Sequence, residues 1–258
     1  MNTEATSAKI SDAAACWSCG AAAGGGHFCA ACGKIQPLSL EIDYFAFFGL
    51  PRRLKIDPEE LERRFHQLSW KLHPDNFVRA DERERELALA RSSQLNDAFR
   101  ALRDPISRVE YLLSTAGMRR EGQHKQQAPP ELLEEVFELN ESLDELREAR
   151  QNGSGSGLDV SHGAGDGAGA GETSAVRRKL AAAQEDFEAK LGEVDAELQQ
   201  LFGEWDTLDA TAGDRRGGAP LPASGPQRKL MERMNDVLNR RSYIRNLVAS
   251  VQKELEEA

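Results

Sequence analysis

The chain has 258 residues, 43 of them acidic against 33 basic, for a net charge of −10 and a pI near 5.2. That balance argues against a general nucleic-acid binder, and no apolar run approaches the ~20 residues that cross a bilayer. The first fifteen residues carry acids and one Lys, unlike a secretory signal or an Arg-rich transit peptide, so the expected location is cytoplasmic.

All four cysteines lie near the start, as Cys16-Trp17-Ser18-Cys19 and Cys29-Ala30-Ala31-Cys32. Each pair is followed by a glycine, Gly20 or Gly33, which can take the positive φ that turns backbone amides toward sulfur. Two such knuckles can place four thiolates at the corners of a tetrahedron, and a reducing compartment disfavours two disulfides. A structural zinc site is expected at Cys16, Cys19, Cys29 and Cys32. Iron is the alternative metal, and a redox dithiol pair is the alternative chemistry. His27 is expected to be a solvated loop residue, since four sulfurs complete the shell. Because metal binding and folding are coupled in such small sites, loss of Cys29 is expected to unfold only this segment, placed at residues 1–40.

Past a short linker, Asp43 should cap an aromatic helix, Tyr44 to Phe48, stopped by Gly49 and Pro51 and covering the helices that follow. Asp57 and Pro58 open the next helix, which runs to Leu72 with Leu61, Phe65, Leu68 and Leu72 on one stripe. Pro74 cannot continue it, and His73 is pushed out of the helical region. A second helix begins at Asp81-Glu82, turns Leu87, Leu95, Ala98, Phe99 and Leu102 inward, and ends near Asp104. The two should pack as a hairpin with His73, Pro74 and Asp75 at its tip. No nucleophile or third orienting group accompanies His73 and Asp75, so the tip reads as a binding element rather than a catalytic one.

Pro105 starts a further helix, Ile106 to Ala116, closed by Gly117. The polar stretch 118–128 reads as a linker, and three long amphipathic patterns occupy 129–258, as expected of a three-helix bundle. The first carries Leu132, Leu133, Val136, Phe137, Leu139, Leu143 and Leu146, more apolar surface than one packing stripe needs. The Gly-rich insert at 151–173 reads as a flexible linker, and Gly213 to Pro226 as a shorter loop. The fold class expected is therefore all-α.

Phe65-His66-Gln67-Leu68-Ser69-Trp70-Lys71-Leu72-His73-Pro74-Asp75, paired with Asn96-Asp97-Ala98-Phe99-Arg100-Ala101-Leu102-Arg103-Asp104-Pro105, resembles a J-domain, here spanning 41–117. The resemblance implies that His73, Pro74 and Asp75, with the cations Arg63, Arg64 and Lys71 on the preceding helix, dock on a DnaK/HscA-type heat-shock ATPase and stimulate its ATP hydrolysis. Pro105-Ile106-Ser107-Arg108-Val109-Glu110-Tyr111-Leu112-Leu113 followed by Glu131-Leu132-Leu133-Glu134-Glu135-Val136-Phe137-Glu138-Leu139 is similar to the HscB-type iron–sulfur co-chaperones, whose eukaryotic members also carry a tetracysteine segment. That likeness implies a non-enzymatic protein that brings an IscU-type scaffold to the ATPase, with Leu133, Phe137, Glu138, Glu141 and Tyr243 on the scaffold. Glu134 departs from the family's usual apolar residue and Asn140 from its usual Arg. A J-protein with another client or a homo-oligomeric partner, and a zinc redox or nucleic-acid module, are the alternative readings.

Overall fold

Helix α2, Pro58–Leu72, shows why the chain turns where it does. Its N-terminus is closed by Asp57, whose carboxylate accepts from the Glu59 N–H at 3.0 Å, with Pro58 in the first turn. Its C-terminus is set by His73, which lies in the extended region at φ −61° and ψ 129° ahead of Pro74. The computed structural model describes residues 15–22, 25–37, 43–119, 129–154, 167–211 and 225–257. Among them the regular structure is helical, apart from the isolated bridges Ala15–Ala22 and Phe28–Ile35. No described helix is long and apolar enough to cross a membrane.

The chain divides into two compact units, Met1–Tyr111 with Asp209–Leu221, and Leu112–Leu208 with Pro222–Ala258. In the first, the short helix α1, Tyr44–Phe47, is capped by Asp43 as expected. A single-turn 3-10 helix, Pro74–Phe77, fills the connection to α3, Glu82–Arg103, which starts on the Asp81 cap. Leu61 and Leu72 of α2 and Ala88, Leu95, Ala98 and Leu102 of α3 form one apolar cluster with Phe45, Phe47 and Phe48. The aromatics therefore cover the hairpin, as expected. Two positions of α3 that the apolar pattern omits, Glu84 and Arg91, are also buried.

The described part of the cysteine segment packs on the hairpin: Ile35, fully buried, belongs to the hairpin's own apolar cluster. Of the linker expected at 118–128, positions 120–128 lie outside the described residues, and the compact units divide after Tyr111. That division falls inside α4, Pro105–Thr115, because Leu112 and Leu113 are buried and Arg119 donates to Asn239 at 3.3 Å within the second unit.

The second unit is built on α5, Leu133–Ser154, α6, Gly167–Thr211, and α7, Gly225–Glu257, with a 3-10 turn, Pro130–Leu132, leading into α5. Helix takes both ends of the Gly-rich insert, to Ser154 and from Gly167; its remainder, 155–166, lies outside the described residues. Extending a formed helix requires no further nucleation, and each glycine costs roughly 1 kcal/mol relative to alanine. Likewise α7 begins at Gly225, within the loop expected at Gly213 to Pro226, of which 213–224 are not described. The apolar stripes face inward: Val136, Leu139, Leu143 and Leu146 of α5, Leu180, Phe187, Val194 and Leu198 of α6, Met234, Val237, Ile244 and Val251 of α7 are buried. Phe202 and Trp205 extend the α6 stripe beyond the expected Leu201. Ion pairs tie the helices together at the surface: Arg147 to Glu254 at 2.7 Å, Lys190 to Glu135, and Arg241 to Asp195 at 2.5 Å.

Leu95→Ala should lower stability by about 2–5 kcal/mol, because it opens a cavity in the hairpin core. Trp70→Ala, at a largely solvated position, should change it by less than about 0.5 kcal/mol. Chemical denaturation followed by circular dichroism separates the two.

Candidate functional site

Three places carry chemistry. In the cysteine segment each knuckle is a tight loop closed the same way: Gly20 N–H donates to Cys16 O at 2.9 Å and Gly33 N–H to Cys29 O at 2.9 Å. Both glycines have positive φ, 72° and 73°, as their spacing predicts. The loops bring four free thiols together, Cys16 Sγ to Cys32 Sγ at 3.6 Å and Cys19 Sγ to Cys29 Sγ at 3.8 Å, all within 4.8 Å. Sulfurs around a tetrahedral ion at 2.3 Å stand about 3.8 Å apart, so this spacing suits one metal ion and is far too long for disulfides.

The four sulfurs shift one another's protonation. Burial acts to raise the Cys16 thiol, but N–H groups of Cys19 and Ser18 and the sulfurs of Cys32 and Cys29 outweigh it and bring it down to about 6. For Cys32 the Lys34 N–H favours the thiolate, but burial and the other three sulfurs push it up to about 12. Four thiolates at this spacing need a cation among them.

His27 is not the solvated residue expected. Its ring packs edge-on against Phe47 with centroids 4.6 Å apart, and its Nε2 bonds the Phe47 carbonyl at 2.9 Å. Burial holds its pKa below the usual imidazole range. It anchors the segment instead of ligating. The cations nearby are also engaged: Lys34 bridges Asp81 at 3.0 Å and Glu84 at 2.6 Å, and the Arg83 guanidinium covers the Trp17 ring at 4.7 Å. An open basic and aromatic surface, which a nucleic-acid module would need, is not formed by these groups.

The second place is the hairpin tip. Pro74–Phe77 turns under the end of α2, where the Asn76 amide donates to Trp70 O at 2.6 Å and the Asp75 N–H to His73 Nδ1 at 3.3 Å. The turn is thus closed by Asn76 and by the His73 ring, and the Asp75 carboxylate, 83% exposed, is left in water. Lys71 is exposed and Arg63 largely so. Arg64 differs from expectation: its guanidinium donates to Phe48 O at 2.8 Å and Gly49 O at 2.9 Å and pairs with Glu60 at 2.6 Å, fastening α2 to the turn after α1. Its fork is spent inside the fold. One residue went unremarked in the sequence, Trp70, 81% exposed. The signal was available: Trp70 follows Arg63 by seven positions, on the arc away from the Leu61–Leu72 stripe.

The third place is α5. Leu133 and Phe137 are 55% and 72% exposed, although both lie on an amphipathic helix whose other leucines are buried. Leu133 edges a cleft toward α7 with Pro130, Val237 and Arg240, and Glu138 and Glu141 line another toward α6 with Lys179 and Lys190, of about 730 Å³. Glu134 and Asn140 are exposed on the same helix, and Tyr243 is half-buried on α7.

Among the described residues the chain is all-α, with a capped hairpin, an exposed His-Pro-Asp corner and a helical second unit. No family model matches the chain. It is 42% identical over 105 residues to the co-chaperone protein HscB homolog of Vibrio vulnificus, across 41% of this chain and 61% of that protein. It is 38% identical over 112 residues to the HscB homolog of Azoarcus, across 43% of this chain and 63% of that one. The match thus spans about three fifths of these relatives. The crystal structure of human co-chaperone protein HscB superposes with a TM-score of 0.59 at 21% identity, covering 93% of this chain and 98% of that one. Chaperone HscB from Vibrio cholerae gives 0.52 at 24%, covering 83% and 99%. The fold is that of the HscB structures, and the chain is similar in sequence to HscB co-chaperones.

The tetrad has the geometry to hold one metal ion per chain. Anaerobically purified protein should contain it in wild type and lose it in Cys29→Ser, read by metal analysis, and equal metal in both would contradict the tetrad.

Proposed function

We propose that this protein is a co-chaperone that presents an IscU-type iron–sulfur scaffold to a DnaK/HscA-type ATPase and stimulates its ATP hydrolysis. What most supports this is the solvated His73-Pro74-Asp75 corner, held in a defined turn by Asn76 at the end of a helix with Lys71 and Arg63 outward. A fixed loop with exposed polar groups and neighbouring cations suits docking on an acidic partner, where charge speeds encounter and sets orientation. The relatives' name, co-chaperone, agrees with that use. Trp70 adds a large apolar side chain to the same arc of α2, the kind of residue that carries binding energy. Arg64 is left out of the docking set because its donors are used internally.

The scaffold would meet α5. Leu133 and Phe137 are solvated where a core role would bury them, and Glu138 and Glu141 add negative charge on the same helix, along the cleft toward α6. Tyr243, half-buried on α7, is the remaining contact carried over from the family resemblance. Zinc is the ion proposed for the cysteine tetrad, with a structural role, since all four ligands are sulfurs and none of the four positions is left for substrate.

His73→Gln should abolish stimulation of the ATPase in a steady-state assay while circular dichroism and melting temperature stay at wild-type values; retained stimulation would refute docking through the tip. Leu133→Ala combined with Phe137→Ala should weaken scaffold binding by a few kcal/mol with little change in melting temperature. A large drop in melting temperature at unchanged affinity would return both residues to the core. Metal analysis should find zinc, and stoichiometric iron with visible absorption would reassign the segment to iron sensing or donation.

A further inference from the structure

The cysteine segment is joined to α3 by a polar chain that passes through one ligand. Gln36 is 3% exposed. Its Nε2 donates to Cys16 Sγ at 3.3 Å and to Lys34 O at 2.8 Å, and its main-chain carbonyl accepts from Arg91 Nη2 at 3.0 Å. Arg91 is also 3% exposed, on the buried face of α3, and its Nη1 donates to Gln94 Oε1 at 2.8 Å. Its Nε has no partner. Burial pulls the guanidinium down to about 10, so it remains charged at neutral pH.

A buried cation without a carboxylate is costly, by several kcal/mol before compensation. Among the described ion pairs none involves Arg91, whereas Lys34, Arg64 and Arg241 each have a carboxylate. Four thiolates around a divalent ion carry a net negative charge, and Gln36 stands between that charge and Arg91. Amide donors to a ligating sulfur favour its thiolate form and fix its direction, and such outer partners commonly change metal affinity 10–100-fold.

We propose that Gln36 and Arg91 are positioning residues of the metal centre. Gln36 holds the Cys16 sulfur through its amide, Arg91 holds Gln36 and balances the charge of the loaded tetrad, and metal loading is thereby linked to the stability of α3. This rests on the tetrad being a metal site, as read above. Ordinary core packing would instead leave metal affinity unmoved when the amide donor is removed.

The test uses the full chain and zinc. Chelator competition under anaerobic conditions should show Gln36→Leu binding one zinc ion per chain about 10–100-fold more weakly than wild type, with Arg91→Met weakened in the same sense. In the wild-type chain, amide exchange across Glu84–Leu95 should slow when zinc is added, and in Gln36→Leu that slowing should shrink. Zinc affinity unchanged in Gln36→Leu, or wild-type exchange in α3 indifferent to zinc, overturns the proposal alone. The wild-type comparison decides even if a variant does not fold. A wild-type chain that takes up no zinc overturns the metal reading and this proposal with it.

Discussion

The constraint on which the first unit depends is Pro74. It can neither donate to the helix nor let His73 stay helical, so α2 must stop at Leu72 and the chain must turn. Once it turns, the stripe of α2 can be covered by α3, and Leu61, Leu72, Leu95, Ala98 and Leu102 close into one cluster with the α1 aromatics. The same corner leaves His73 and Asp75 in water. Burial of the stripes stabilises the hairpin and, as a by-product of geometry, fixes the tip; the turn itself is held by the Asn76 amide on Trp70 O, the Asn76 N–H on His73 O at 3.0 Å and the Asp75 N–H on His73 Nδ1.

The N-terminal segment supplies what two helices and a short aromatic turn leave open. Ile35 completes the cluster, His27 takes the free carbonyl of Phe47, and Lys34 joins the two acids at the start of α3. Each contact is small, but each spans tens of positions in sequence, and all depend on a segment too short to fold by hydrophobic burial alone. The tetrad is what can hold it in shape. A metal held by the tetrad would therefore support the hairpin's own contacts.

Much of this was legible beforehand, for identifiable reasons. Caps at Asp43, Asp57 and Asp81, prolines at 58 and 105, and apolar positions at helical spacing specify local structure through local chemistry, and the helices fall where those signals put them. The cysteine spacing and its two glycines carried the knuckles. What stayed hidden was long-range. Whether Arg64 faces solvent depends on carbonyls fifteen or more residues away, and whether His27 is solvated depends on Phe47. Glu84 and Arg91 sit on the inward stripe of α3, and a charged residue there was a readable sign of a polar partner, though not of which one. On α5 the surplus of apolar residues was legible, and the exposure of Leu133 and Phe137 says which of them were surplus.

The central claim is that the corner after α2 and the exposed face of α5 are separate contact surfaces for two different proteins. Hydrogen–deuterium exchange on the full chain tests it most directly, with the ATP-bound heat-shock ATPase added in one experiment and the scaffold in another. The account predicts that the ATPase slows exchange in the peptide covering Lys71–Phe77 and leaves Leu133–Glu141 unchanged, and that the scaffold does the reverse. Protection of the same peptide by both proteins, or a tip that exchanges at its free rate with the ATPase bound, would contradict it.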